Sequence, residues 1–217
     1  MSLKTDEKIG IISIGIGNTE SVASMLNSIG IENSQVSNPS DIKFFNRLIL
    51  PGVGHFGSFI HALDKHGFRP YLSEFAIKQK LPILGLCVGA QAMLNSSEED
   101  ISAKGLGWIE GSNKLMTQRD SKFIPRVGWD YLNLINQHED QVLINSLLPP
   151  NRFYFTHSFK FDVYNRANII AVSQNNELVP VVFMQDNILG AQFHPEKSHN
   201  SGLNFLKFFS EWNFSAA

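Results

Sequence analysis

Cysteine is almost absent from this 217-residue sequence: Cys87 stands alone, so no disulfide can form within the chain, which suits a reducing compartment. There is no excess of positive charge either. Eighteen Lys and Arg against 20 Asp and Glu leave a net charge of −2, which supplies no basic field for nucleic acid. No apolar run is long enough for a bilayer, because the stretch from Ile9 to Ile16 is short and broken by Gly10 and Gly15. The opening "MSLKTDEKIGIISIGIG" lacks the basic-then-apolar pattern of a signal peptide. Low-complexity linkers and internal repeats are missing too. What is present, 43% hydrophobic and only 18% charged residues, excludes disorder and can fill a large core. The expectation is one soluble, cytoplasmic domain over 1–217, with no nucleic-acid or membrane partner and no metal or cofactor.

Short β-branched runs alternate with helical patterns through the first half. "KIGIISIG" reads as a buried strand. "TESVASMLNSIG" follows with a Thr or Asn start, Val22, Met25, Leu26 and Ile29 at helical spacing, and Gly30 as the stop. "RLILPGVG" and "LPILGL" are further strands, followed by helical "GSFIHALDKHG" and "AQAML". This order predicts an α/β fold: an open, mostly parallel central sheet with helices on both faces. In the C-terminal half "NRFYFTHSFKFDVY", "NIIAVSQ" and "LVPVVFMQDNILGAQF" add antiparallel strands, with "QDN" as a hairpin turn. "SGLNFLKFFSEW" closes as a helix with Leu203, Leu206 and Phe209 on one face.

In open parallel sheets, reactive groups collect beyond the carboxyl ends of the strands. Three turns fall there: "GIGN", "PGVG" and "GLCVG". A thiol in an apolar run is ordinarily a core residue. Here G-x-C-x-G lies between a strand and a helix, the cysteine form of the nucleophile elbow. Flanking glycines allow a tight turn with strained dihedrals. A helix opening just after the sulfur favours the thiolate, the nucleophilic form, and the Val88 amide is placed to donate to an oxyanion.

A thiolate also needs a proton acceptor and a group that orients it. His61 and His66 fall on a helix surface and His138 in a polar loop, so all three read as solvated. His194 differs. "ILGAQFHPEKS" runs as a strand and breaks at His194-Pro195, and Glu196 follows at a spacing that can fix the imidazole's tautomer.

Taken in order, "PGVG", "GLCVGAQ" and "QFHPEKS" resemble the class I, triad-type glutamine amidotransferases, and the likeness runs on through "IGIGN", "SSEED", "GLGWIEG", "VGWD", "FYFTHSF" and "SGLNFLKFF". The resemblance implies a flavodoxin-like fold and a Cys87–His194–Glu196 triad, with Cys87 attacking the γ-amide carbon of glutamine. It implies oxyanion donors at Val88 and Val53, and substrate contacts at Gly52, Gln91, Glu99, Tyr154, His157 and Ser158. Without the family, His157 and Tyr154 read as structural residues of a strand.

Members similar along their whole length release ammonia to a separate (β/α)8-barrel cyclase subunit, and the docking face implied here includes Asn18, Trp129 and Lys197. The sequence departs from the family where Ile16 and Glu20 stand for an aromatic residue and an Arg. "CVGAQ" also replaces "CLGMQ", and "PRVGWD" replaces "PHMGWN". Glu20, Arg126 and Asp130 fall in that docking region. The acceptor stays open between histidine biosynthesis and a barrel partner in surface-sugar biosynthesis. A cysteine peptidase or γ-glutamyl hydrolase, or a non-catalytic binding module, are the other readings.

Overall fold

A computed structural model describes residues 8–135, 141–148, 150–174 and 176–212. His138 lies outside them. In the first half, β1 (Ile9–Ile12), α1 (Thr19–Ser28), β2 (Asn33–Val36), β3 (Arg47–Gly52), α2 (Phe56–Lys65), α3 (Phe68–Ser73), β4 (Ile83–Cys87) and α4 (Val88–Gln91) alternate. Next come β5 (Ser96–Ser97), β6 (Asp100–Lys104), β7 (Gly111–Leu115), β8 (Arg126–Asp130), β9 (Leu132–Leu134) and α5 (Gln141–Leu147). The chain ends in β10 (Phe153–His157), β11 (Phe159–Val163), β12 (Ile169–Ser173), β13 (Asn176–Gln185), β14 (Ile188–Ala191) and α6 (His199–Glu211).

The main sheet has the order β2-β1-β3-β4-β14-β13-β12-β9. Its first five strands are parallel, and β13, β12 and β9 continue it antiparallel. Strand period sorts the side chains between two layers. Leu48, Leu50, Ile83 and Cys87 face the layer holding Phe56 and Phe59 of α2 and Phe68 of α3. Ile49, Leu84 and Leu86 face the opposite layer, with Val22 and Leu26 of α1 and Phe205 and Phe209 of α6. The predicted α/β sheet with helices on both faces is what forms.

Several details differ from the sequence reading. The added strands are not confined to the C-terminal half, because β5, β6 and β7 join β11 in a separate four-stranded sheet of order β11-β7-β5-β6. "NRFYFTHSFKFDVY" is two strands in two sheets, parted at Ser158. In α6 the buried face runs through Phe205, Leu206 and Phe209, with Leu203 only half-buried. The helix after Cys87 is a single turn. The next carbonyls are taken by the following loop: Ala92 O accepts from Leu106 N, Met93 O from Trp108 N and Leu94 O from Gly107 N. The N–H that a second turn would give to Gln91 O, that of Asn95, goes instead to Gly111 O at the start of β7, so the helix does not continue.

A candidate active site at the carboxyl ends of the parallel strands

Cys87 ends β4 with φ 51° and ψ −113°. A non-glycine residue held in that region carries strain on the order of 1–3 kcal/mol. The neighbouring glycines serve a different purpose from the one their spacing suggests, since neither has a positive φ. They let α4 lie directly on the sheet. A Cβ on Gly85 would come 2.6 Å from Ala90 Cα, and one on Gly89 1.8 Å from the Leu50 carbonyl oxygen. Gly52, opposite Cys87 in register, would likewise meet Gly89 N at 2.4 Å. The "PGVG" turn and the elbow are thus in backbone contact. With only four residues, α4 brings local N–H groups rather than a long helix dipole to the sulfur.

Beyond the end of β14, Gln192, Phe193 and His194 continue the alternation. Phe193 turns into the aromatic cluster of the opposite layer, 4.0 Å from Phe153 and 5.0 Å from Phe205 between ring centroids. That packing leaves Gln192 and His194 on the cysteine side. His194 is pinned by its main chain, N–H donating to Tyr154 O and O accepting from Ser198 Oγ at 2.6 Å. A 3-10 turn, Pro195–Lys197, brings Glu196 back beneath the ring.

His194 Nδ1 lies 2.8 Å from Glu196 Oε1, and the same oxygen accepts from Asn18 Nδ2 at 2.9 Å. This leaves Nε2 for the sulfur. Burial alone would depress the His194 pKa. The interactions with Cys87 and Glu196 outweigh it and raise the value to about 10. Nε2 makes no hydrogen bond of strict geometry in this arrangement. Burial pushes the Glu196 carboxyl upward, and His194 and Asn18 reverse that, holding it below its usual range. A buried nucleophile, an imidazole and an orienting carboxylate can perform acyl transfer: thiolate attack, protonation of the leaving group and hydrolysis of the thioester.

Glu196 stays behind the ring, while Cys87 and His194 open on a cavity of about 470 Å³, within the range of small-molecule sites. Val53, Val88, Gln91, Glu99, His157 and Ser158 line it, as do Asn18 and Lys197. Glu99 Oε2 also accepts from Phe56 N at 2.7 Å, capping α2. Gly52 and Tyr154 are not among the lining residues. Tyr154 sits at the rim, edge-on to Trp129 and beneath Lys197 Nζ, while Trp129 stacks on His199 with 7° between the planes. Asn18 does stand at the start of α1, but its side chain does not cap the helix.

His157 is buried with Nδ1 2.8 Å from Phe159 O, and burial lowers its pKa to about 3. The neutral ring thus donates from Nδ1 and keeps an unpaired Nε2.

Two of the docking-region departures are engaged within the chain. Arg126 and Asp130 pair with each other, the guanidinium stacked 4.1 Å over Phe155 and Asp130 accepting from Ser173 Oγ. Asp130 is buried. Two of the three changes from "PHMGWN" add opposite charges that pair within the chain. Glu20 alone remains exposed.

Sequence reasoning missed Gln192, fully buried with Nε2 3.6 Å from Cys87 Sγ. Its signal was available: a polar residue two positions before His194 on a strand shares its face.

An open, mostly parallel sheet with Cys, His and Glu converging beyond its strand ends defines a thiol-dependent acyl-transfer enzyme class. The chain belongs to the class I glutamine amidotransferase family, whose model matches residues 11–211. It is 37% identical to imidazole glycerol phosphate synthase subunit HisH of Leptospira borgpetersenii over 205 residues, 93% of this chain and 98% of that protein. Against HisH of Zymomonas mobilis the identity is 35%, covering 98% of this chain and all of the relative. HisH 2 of Pseudomonas aeruginosa is 32% identical, with 94% and 98% covered. Among solved structures, a glutamine amidotransferase superposes with a TM-score of 0.73 at 17% identity, covering 94% of this chain and 97% of the other. PurLQS of Thermotoga maritima gives 0.73 at 16%, covering 95% and 99%. These structural likenesses show the fold. Among the described residues no helix is long and apolar enough to cross a membrane.

Proposed function

We propose that this chain is the HisH glutaminase subunit of imidazole glycerol phosphate synthase, hydrolysing glutamine and passing ammonia to a (β/α)8-barrel cyclase subunit in the cytoplasm. The observation that carries this reading is the opening of Cys87 and of His194, its ring held by Glu196, on one cavity, in a chain similar to HisH proteins over nearly its whole length. In this mechanism the Cys87 thiolate attacks the γ-amide carbon. The oxyanion is met by backbone N–H groups of Val88 and Val53. His194 delivers its proton to the nitrogen as the C–N bond breaks, releasing ammonia and leaving a γ-glutamyl thioester. Water, deprotonated by His194, then displaces the sulfur to give glutamate. Glu196 holds the imidazole throughout. Glu99 and Gln91, with Ser158 and the Nε2 lone pair of His157, supply the polar walls for the substrate's amino and carboxylate ends. Asn18, Trp129, Tyr154 and Lys197 form the rim on which the barrel docks.

The decisive test joins the purified chain to candidate barrel subunits. The histidine-pathway cyclase should raise glutamate release from glutamine. Cys87→Ala should abolish that release while cyclase turnover with added ammonium survives. Stimulation only by a barrel from surface-sugar biosynthesis would move the chain to that pathway. Glutamate release retained in Cys87→Ala would overturn the mechanism.

A further inference from the structure

Cys87 is served by a second device, built from side-chain amides. Gln192 Nε2 faces the sulfur at 3.6 Å. An amide can present either its N–H or its oxygen to a neighbour, and only the N–H favours a thiolate. Which one is presented depends on what the other end meets. Gln192 Oε1 accepts from Gln91 Nε2 at 3.2 Å. Gln91 is itself unable to turn round, because the same Nε2 donates to the Phe159 carbonyl at 3.4 Å, and a main-chain oxygen can only accept. Asn113 Nδ2 donates in turn to the Gln91 main-chain oxygen and to Ser96 O, fixing the residue's backbone. Gln91, Asn113 and Gln192 are all buried, so no water shell lets the amides exchange ends freely.

We propose that Gln91 and Gln192 form a one-way amide relay, with its polarity set by the Phe159 carbonyl, that holds an N–H on the Cys87 sulfur and stabilises its thiolate. Gln192 is then a positioning residue touching the nucleophile, and Gln91 acts on the sulfur without contacting it. The proposal rests on the reading of Cys87 as the nucleophile, and its test is independent of turnover.

Cys87 is the only cysteine, so thiolate ultraviolet absorbance and alkylation by iodoacetamide report this sulfur alone. The alkylation rate is followed against pH for the isolated chain, with thermal melting as the check on folding. Gln192→Met keeps the volume and removes the donor, and should move the midpoint of the profile upward by about one pH unit. Gln91→Met leaves the Gln192 contact intact but frees its amide to turn, and should move the midpoint the same way by a smaller amount. A Gln192→Met profile superimposed on that of the parent overturns the proposal. A shift in Gln192→Met with none in folded Gln91→Met overturns the relay, because polarity is then not set through Gln91. If Gln192→Met does not fold, Gln91→Met alone decides by the same criterion. Should the parent release no glutamate with any barrel while both shifts occur, the glutaminase reading fails and the relay stands.

Discussion

Mild acid should loosen this protein through one buried imidazole. His157 on β10 is held neutral by burial, with Arg126 and His194 pushing the same way and the Phe159 carbonyl opposing them, and its pKa falls to about 3. In the unfolded chain a histidine titrates near ~6.5. Between these values the unfolded state binds a proton that the folded state refuses. Stability is therefore present above the unfolded value and is lost as pH falls. With ~1.4 kcal/mol per unit, the loss from pH 6.5 to pH 5 comes to about 1.5 kcal/mol. His194 has the opposite sign: its raised value stabilises the fold fully below ~6.5 and ceases to do so as pH rises through about 10. It therefore changes little over the acid interval. The carboxylates with lowered values, Glu98, Asp100, Asp120 and Glu196, lose their contribution at still lower pH.

The assay is urea unfolding at pH 6.5 and pH 5 for the parent and for His157→Asn, whose side-chain N–H can still reach the Phe159 carbonyl. The variant is expected to start less stable and to lose about 1.5 kcal/mol less than the parent across the interval. Equal losses in the two proteins would refute the assignment of a neutral, proton-refusing His157. They would also remove the basis for Nε2 as a standing acceptor in the cavity wall.

Two further outcomes follow from the packing. Gly89→Ala drives a Cβ to within 1.8 Å of the Leu50 carbonyl oxygen, which is main chain and cannot swing aside; a loss of at least about 1–3 kcal/mol and of glutamate release is expected, and an active variant with unchanged melting would contradict it. Asp130→Asn strands the Arg126 guanidinium and should cost about 3 kcal/mol, much of it recovered in Arg126→His/Asp130→Asn; strictly additive losses in that double-mutant cycle would show that the pair does not act as a unit.

The parts of this site legible in the sequence are those set by strand period and by local turn chemistry. The elbow at Cys87 and the strand end at His194-Pro195 are local signals, and Glu196 is two residues away. The sheet follows from alternating runs of apolar residues. What could not be read depends on contacts across long separations. "AQAML" has helical spacing, yet α4 stops after one turn as "GLGWIEG" draws the Asn95 N–H to Gly111 O and pairs with the carbonyls of Ala92, Met93 and Leu94. Arg126 and Asp130 look like surface charges until Phe155 and Ser173 are folded against them. Asn18 reads as a helix cap, but its amide is drawn 178 residues along the chain to Glu196. Gln192 is the exception, since strand period placed it beside His194 and only its purpose was hidden.

The strained backbone at Cys87 is held by the close packing of α4 on the sheet. Returning φ to negative values would swing α4 relative to β4. Gly85 lies under Ala90, while Gly89 lies against Leu50 and Gly52 on β3, so the main chain of α4 rests on the main chain of two strands of the sheet. A strain of about 1–3 kcal/mol is small against the core these strands share. The glycines around the cysteine are thus less a flexible hinge than a means of fixing one residue in a conformation it would not choose. That conformation carries the sulfur off the end of the sheet toward His194 and Gln192, which approach from a different strand. Held by packing on one side and hydrogen bonds on the other, the sulfur is fixed in place beforehand, which is the preorganisation that the proposed acyl transfer requires.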